Sequence, residues 1–201
     1  MAINPPEIFS ERIFYFKNAL QNPAKIVQLI EETEARLTEL DVLEPWKAWR
    51  ANNDPDHIFG QQKQTRKACL PTSSAETAFI YSELESAILE AAKCYEETTG
   101  TSVGIPQQLS ISKYFEGASM GPHVDWDEDH ARLEPIVSAV MYLNDDYTGG
   151  ELHFREQNVT IKPEAGSIVI FPSVEPFFHQ SNPIISGNKY MSPIFWYKNS
   201  R

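Results

Sequence analysis

The chain has 201 residues, a formal net charge of −11 and a pI near 4.9. That length favours one domain, and 41% hydrophobic residues with apolar segments recurring to the end exclude a disordered chain. The acidic balance disfavours unaided binding to a phosphate backbone, and no apolar run approaches a membrane span.

Cys69 and Cys94 give neither a disulfide framework nor a CxxC pair, which fits a reducing cytoplasm. The first residues, Met1 to Glu7, lack the basic and apolar regions of a signal peptide, so none is predicted. Residues 8–16 are aromatic and β-prone and predict a first strand. Asn22-Pro23 reads as the N-cap and first position of a helix ending near Leu40. Its apolar stripe is Ile26, Leu29, Ile30, Leu37 and Leu40. Glu31, Glu32 and Glu34 read as its solvated face.

Residues 44–74 are weakly patterned and read either as a lid over a site or as a surface loop. Lys63, Arg66 and Lys67 form a basic cluster there, read as solvated rather than as a contact for an acidic substrate. A second helix opens near Ser73, with Glu76 completing a capping box, and ends at Gly100. Cys94 packs on it as a small hydrophobe.

From residue 107 the hydrophobic period changes to two. Strands are predicted at 107–115, 123–126, 135–144, 151–154, 157–162, 167–171, 178–182 and 188–197. The fold class expected is therefore mostly β with flanking N-terminal helices (α+β), as a double-stranded β-helix, or jelly roll. Residues 1–201 form a single domain: a strand, helices and possible lid loop over 1–106, and the jelly-roll core over 107–201. Pro193 inside the last strand predicts an edge or a bulge.

The chemistry concentrates in Gly121-Pro-His-Val-Asp-Trp-Asp127 and one later histidine. His123 and Asp125 are two apart, so on a strand both point to one face and can reach one metal ion. His179, in Pro176-Phe-Phe-His-Gln-Ser181, is the candidate third ligand. Two imidazoles and one carboxylate leave open positions and suit Fe(II). The competing reading is a core histidine and a turn aspartate in an acidic loop. Asp127 and Asp129 fall in the turn beyond and are not counted as ligands. His57, His130 and His153 are not read as ligands either. Trp126 either lines the entrance or packs.

Lys189 follows His179 by ten residues, in Gly187-Asn-Lys-Tyr-Met191. The order His-x-Asp, His, then Lys resembles the Fe(II)/2-oxoglutarate-dependent dioxygenases, specifically their prolyl 4-hydroxylase-like branch. Met141-Tyr-Leu-Asn144 with Gly149-Gly-Glu-Leu-His-Phe154, and Leu109-Ser-Ile-Ser-Lys-Tyr-Phe-Glu-Gly117, resemble further stretches of that branch. The resemblance covers residues 107 to 197.

The resemblance implies His123, Asp125 and His179 as catalytic metal ligands. It implies Lys189 as partner of the distal carboxylate of 2-oxoglutarate, with Tyr142 and Tyr114 as further cosubstrate residues and Asn144 and Ser192 as lesser contacts. The bland alternatives are a snorkelling lysine and packed strand tyrosines. The implied cofactors are Fe(II), 2-oxoglutarate and O2, with ascorbate as a candidate addition. The implied reaction hydroxylates an unactivated C–H and releases succinate and CO2. The implied substrate is a prolyl residue of a peptide or protein, with a free amino acid or other small molecule as the alternative. Rival classes are a non-catalytic jelly-roll binding module and a metal enzyme that uses no 2-oxoglutarate, for which Lys189 would be idle. The acidic surface says nothing about assembly.

Overall fold

The computed structural model describes residues 3–39, 47–48, 65–68, 75–106, 109–126 and 135–197. The chain opens with β1 (Glu7–Phe9) and β2 (Ile13–Phe16), an antiparallel hairpin. The single strand expected over 8–16 is thus two. Ser10 and Glu11 take positive φ, 50° and 63°, and reverse the chain between them.

Helix α1 (Pro23–Glu39) starts where Asn22-Pro23 indicates, with Ile26 N–H donating to Asn22 O at 3.1 Å. Ile26, Leu29 and Ile30 are buried. β3 (Lys47–Ala48) and β4 (Thr65–Ala68) come from the weakly patterned stretch. The rest of 44–74 lies outside the described residues, and with it the lid expectation, Lys63, His57 and the Ser73 cap. Helix α2 (Ala75–Thr99) follows and is closed by Gly100, whose φ of +69° suits the residue after a helix and whose N–H donates to Glu96 O. Cys94 packs partly buried against the main core.

The remaining strands are β5 (Ile105–Pro106), β6 (Ile111–Tyr114), β7 (Met120–His123), β8 (Pro135–Tyr142), β9 (Thr148–Gly149), β10 (Leu152–Phe154), β11 (Val159–Ile161), β12 (Ile168–Pro172), β13 (His179–Ser181), β14 (Ile184–Ser186) and β15 (Lys189–Tyr197). They form a large sheet, β1-β2-β12-β8-β15-β6-β4-β3 with β5 alongside β15, a smaller sheet, β11-β10-β13-β7, and the pair β14-β9. These mostly antiparallel sheets with two flanking helices are the jelly-roll architecture expected from the strand pattern. β9 and β14 were not expected; they are short, and their Gly and Pro neighbours read as turns.

Both faces of the large sheet are apolar, which is why β12, Ile-Val-Ile-Phe-Pro, is a continuous apolar run rather than an alternating one. Val137, Ala139, Met141, Ile168, Ile170, Ile194 and Trp196 belong to the core that includes α1 and α2. The alternate residues, among them Tyr142, Val169, Phe171 and Met191, belong to a second core with Leu152, Phe154 and Ile161 of the smaller sheet. This second, interior core is where the site lies.

Two expectations are corrected. Pro193 is not on an edge: β15 is central, and Pro193 pairs with Val140 of β8. On the other side β6 pairs residues 189–191 and β5 pairs 196–197, so Pro193 falls between them and its missing N–H breaks no described ladder there. Ser192 Oγ donates to Ser110 O at 2.7 Å beside that gap. Nor are Glu31 and Glu34 merely solvated. Glu31 accepts from Tyr190 Oη at 3.0 Å and Glu34 pairs with Lys113 Nζ at 3.0 Å, tying α1 to β15 and β6.

Candidate metal and cosubstrate site

Three side chains converge at the end of β7. His123 and His179 are directly opposite in the β7–β13 ladder, and their ring centroids are 4.3 Å apart. Asp125 lies just past the end of β7, in a bend, so strand parity is not what aims it. The bend is fixed by Trp126 N–H donating to Ser173 O at 3.1 Å. Asp125 Oδ1 is 3.4 Å from His123 Nε2, and Oδ2 is 3.6 Å from His179 Nε2. One ligand atom from each of the three lies within 4.8 Å of the others, so together they could hold one metal ion.

The chemistry of the donor set fits. His123 Nδ1 is 2.8 Å from Gly121 O and His179 Nδ1 is 3.2 Å from Phe177 O. Protonated Nδ1 atoms bonded to carbonyls leave both Nε2 lone pairs aimed at the same place. Burial lowers the His179 pKa to about 4, against the pull of Asp125, so this ring is neutral and ready to ligate. For His123 burial also acts downward, but the hydrogen bond and charge of Asp125 win and the pKa is raised. For Asp125 burial acts upward, yet His179, His123 and the Ser138 hydroxyl together hold its carboxyl below the usual range. Ser138 Oγ is in turn 2.7 Å from Ser173 Oγ. His179 is walled by Phe171, 4.6 Å away ring to ring, and by Phe154 at 5.7 Å.

Lys189 begins β15 opposite Tyr114 of β6, and it is buried, 1% exposed. Its Nζ donates to Gly150 O at 2.7 Å and to Ser181 Oγ at 3.0 Å. The rings of Tyr142, Tyr114 and Tyr147 surround it at 5.1, 5.4 and 6.0 Å. Among the described residues no carboxylate is within ion-pair distance, and burial lowers the Lys189 pKa to about 7. Burial likewise raises those of Tyr114, Tyr142 and Tyr147, so all three phenols are neutral. The paired glycines make room for this arrangement. A Cβ on Gly149 would run into Pro183 O, and one on Gly150 would stand 2.5 Å from Ile184 Cδ1 and 3.3 Å from Lys189 Cδ.

The structure thus brings His123, Asp125 and His179 together, and Lys189, Tyr142 and Tyr114 together. Asn144 acts elsewhere: its side chain bonds Asp146, Asn188 O and Tyr190 N, clamping the start of β15. His153 pairs with Thr160 and is not among the converging ligands. Trp126 has a buried Nε1 with no hydrogen-bond partner. His130, Asp127 and Asp129 lie outside the described residues. Sequence reasoning missed Ser181, Tyr147, Ser138 and Ser173. Ser181 was signalled by its two-residue spacing from His179; the others carried no local signal.

A jelly roll with two imidazoles and a carboxylate around one interior point has a donor set that suits a metal ion. Residues 109–198 of the chain match the family model of the 2OG-Fe(II) oxygenase superfamily, and the chain has relatives named prolyl 4-hydroxylase. It is 30% identical over 112 residues to prolyl 4-hydroxylase subunit alpha-1 of Gallus gallus, covering 48% of this chain and 22% of that protein. It is 34% identical over 88 residues to a PKHD-type hydroxylase of Hyphomonas neptunium, covering 40% of this chain and 38% of that one. The chain therefore spans well under half the length of either relative.

Among solved structures, a Trichoplax adhaerens prolyl hydroxylase in complex with a hypoxia inducible factor peptide fragment superposes with a TM-score of 0.69 at 15% identity, over 94% of this chain and 84% of that one. A Pseudomonas putida prolyl-4-hydroxylase gives 0.64 at 20% identity, covering 95% of each chain. At these identities the likeness speaks for the fold.

Proposed function

We propose that this protein is an Fe(II)- and 2-oxoglutarate-dependent dioxygenase that hydroxylates a prolyl residue of a peptide or protein, releasing succinate and CO2. His123, Asp125 and His179 hold the iron, and Lys189, with Tyr142 and Tyr114, receives the distal carboxylate of the cosubstrate. One observation carries this reading. His179 and Ser181 share a face of β13, and Ser181 Oγ touches Lys189 Nζ at 3.0 Å. A two-residue strand step is about 6.6 Å. The buried ammonium therefore sits about one short dicarboxylate away from the ligand cluster.

When bound, Fe(II) supplies activation of O2 coupled to oxidation of the 2-oxo acid. The chain does the rest. The carbonyls of Gly121 and Phe177 hold each imidazole in the ligating tautomer. Ser138 steadies Asp125. Among the described residues Lys189 has no counter-ion, and it gains one in the incoming carboxylate, which also restores its full charge. Phe154 and Phe171 keep water from the flank of His179. The prolyl substrate is supported by the relatives named prolyl 4-hydroxylase and by the neighbour that holds a peptide fragment.

The test is an anaerobic titration of Fe(II)-loaded protein with 2-oxoglutarate, following the visible charge-transfer band of the chelate, with His179→Ala as control. A band in the wild type that is lost in the variant is expected, followed by succinate release with proline-containing peptides. A folded, iron-loaded protein that gives no band would overturn the assignment.

A further inference from the structure

Helix α1 lies outside the matched residues 109–198, yet it reaches both strands that carry the lysine end of the site. In the β15–β6 ladder Lys189 stands opposite Tyr114, and Tyr190 stands opposite Lys113. Neighbouring residues on a strand point to opposite faces. Lys189 and Tyr114 meet inside the barrel, with Nζ 5.4 Å from the ring centroid. Tyr190 and Lys113 stand directly behind them, on the face that α1 packs against. There Lys113 Nζ lies 5.2 Å from the Tyr190 ring centroid. Tyr190 Oη donates to Glu31 Oε1 at 3.0 Å, and Lys113 Nζ pairs with Glu34 Oε2 at 3.0 Å.

Packing alone does not call for this outer pair. Met141, Ile170 and Ile194 fill the same face with apolar side chains. Tyr190 is 2% and Lys113 8% exposed, and burying a phenol and an ammonium costs stability unless both are partnered. What the polar bonds add is direction. Apolar contact is non-directional, whereas a hydrogen bond fixes where its two ends stand.

Lys189 is placed where such fixing matters. It is the first residue of β15, two after Gly187, whose φ is +83°. The Asn144 amide brackets it: Nδ2 donates to Asn188 O at 2.7 Å and Oδ1 accepts from Tyr190 N–H at 2.7 Å. Leu143 N–H donates to Tyr190 O at 2.9 Å. These bonds hold the backbone beside Lys189 from within the sheet. Glu31 and Glu34 hold the same segment from the helix layer.

We propose that α1 is a positioning element of the site: Glu31, through Tyr190, and Glu34, through Lys113, fix the start of β15 and the end of β6 so that Lys189 and Tyr114 keep their places. The two glutamates act across the sheet and touch no cosubstrate. This rests on the function proposed above.

The experiment uses the full chain, loaded with Fe(II) and without O2. It reads the chelate band against two probes, 2-oxoglutarate and the monocarboxylate 2-oxobutyrate, which has no distal carboxylate to place. Glu31→Ala combined with Glu34→Ala should weaken 2-oxoglutarate binding about 10-fold and leave 2-oxobutyrate binding and iron content unchanged. Glu31→Gln, which keeps an oxygen for the Tyr190 hydroxyl, should retain wild-type affinity where Glu31→Ala does not. In the metal-free protein, amide hydrogen exchange at Lys189, Tyr190 and Met191 should quicken in the double variant and not in Glu31→Gln. Tyr190→Phe removes one hydroxyl and keeps the ring, so it gives the same reading if the double variant does not fold. Wild-type affinity for 2-oxoglutarate in the folded double variant, or in Tyr190→Phe, overturns the inference and leaves the proposed function standing. Equal weakening of both probes also overturns it, since the glutamates then support the fold at large. No band for 2-oxoglutarate in the iron-loaded wild type overturns the proposed function and this inference with it.

Discussion

The two ends of the barrel interior pose opposite electrostatic problems. At the metal end Asp125 stands between two imidazoles, each of which is held by a backbone carbonyl. At the other end Lys189 is equally buried, yet its contacts are a carbonyl, a hydroxyl and three aromatic rings, none of which cancels a charge. The first end is assembled in advance. On the function proposed here, the second is completed by its ligand. A protein gains affinity by leaving a site unsatisfied only where a partner of known chemistry arrives, and a buried ammonium defines that partner as an anion.

Breaking the assembled end should have the largest effect. His179→Ala is expected to lose iron on dialysis and to lower succinate release by about 10³-fold or more, by analogy with the several kcal/mol that a catalytic metal contributes. Metal analysis beside the activity assay checks that the two losses go together.

Lys189→Met, which keeps the length and removes the charge, should weaken 2-oxoglutarate binding about 100-fold, as when one partner of a buried ion pair is lost. The same change should stabilise the ligand-free protein. The sign follows from the pKa. Lys189 titrates near 7 in the fold, below its usual 10.5. Below pH 7 the fold therefore bears the whole cost of a buried charge. That cost shrinks as pH rises from 7 to 10.5, where the unfolded chain keeps the proton and the fold has released it. The stabilisation by Met should be greatest below pH 7 and fade above it. Melts across pH 6 to 10 read this directly, and a variant no more stable than wild type at pH 6 would show that Lys189 is not desolvated.

Gly150→Ala should damage the lysine end alone. The residue has φ +69° and no room for a Cβ beside Ile184. A left-handed non-glycine residue costs about 1–3 kcal/mol, so the melting temperature should fall and 2-oxoglutarate affinity with it, while iron content holds. Ser138→Ala is the mildest change. It removes the hydroxyl that steadies Asp125 and should weaken Fe(II) binding about 10-fold, with the preference between 2-oxoglutarate and 2-oxobutyrate intact. A shift in that preference would mean that the two ends are not separable.

Much of this was legible in the sequence because it is written as spacing. His123, Asp125, His179 and Lys189 stand in a fixed order, and period-two apolarity placed most of the barrel strands. What was not legible depends on tertiary neighbours. Asp125 reaches the cluster through a bend held by Ser173, a contact across 47 residues that no local pattern records. Ser138, on β8, and Ser173, just past the end of β12, look like ordinary serines until the β8–β12 pairing brings their hydroxyls together. Pro193 was read by the local rule for proline, which β15 escapes because its two other partners leave a gap at that residue. Glu31 and Glu34 look like any acidic helix face, and only the packing of α1 against β15 and β6 brings Tyr190 and Lys113 to them.

The order of strands in the large sheet constrains how the chain can be made. β15 lies between β8 and β6, although it is the last of the described strands in chain order. Until it arrives, β8 and β6 present bare edges, which are templates for wrong pairing. The join is between segments far apart in sequence, so it is expected to be a slow step. A nascent chain paused just after His179 would own all three metal ligands and still lack the centre of its sheet. Iron acquisition by such a chain would have to wait for the strand that also carries the lysine, and cofactor loading would follow closure of the barrel rather than nucleate it.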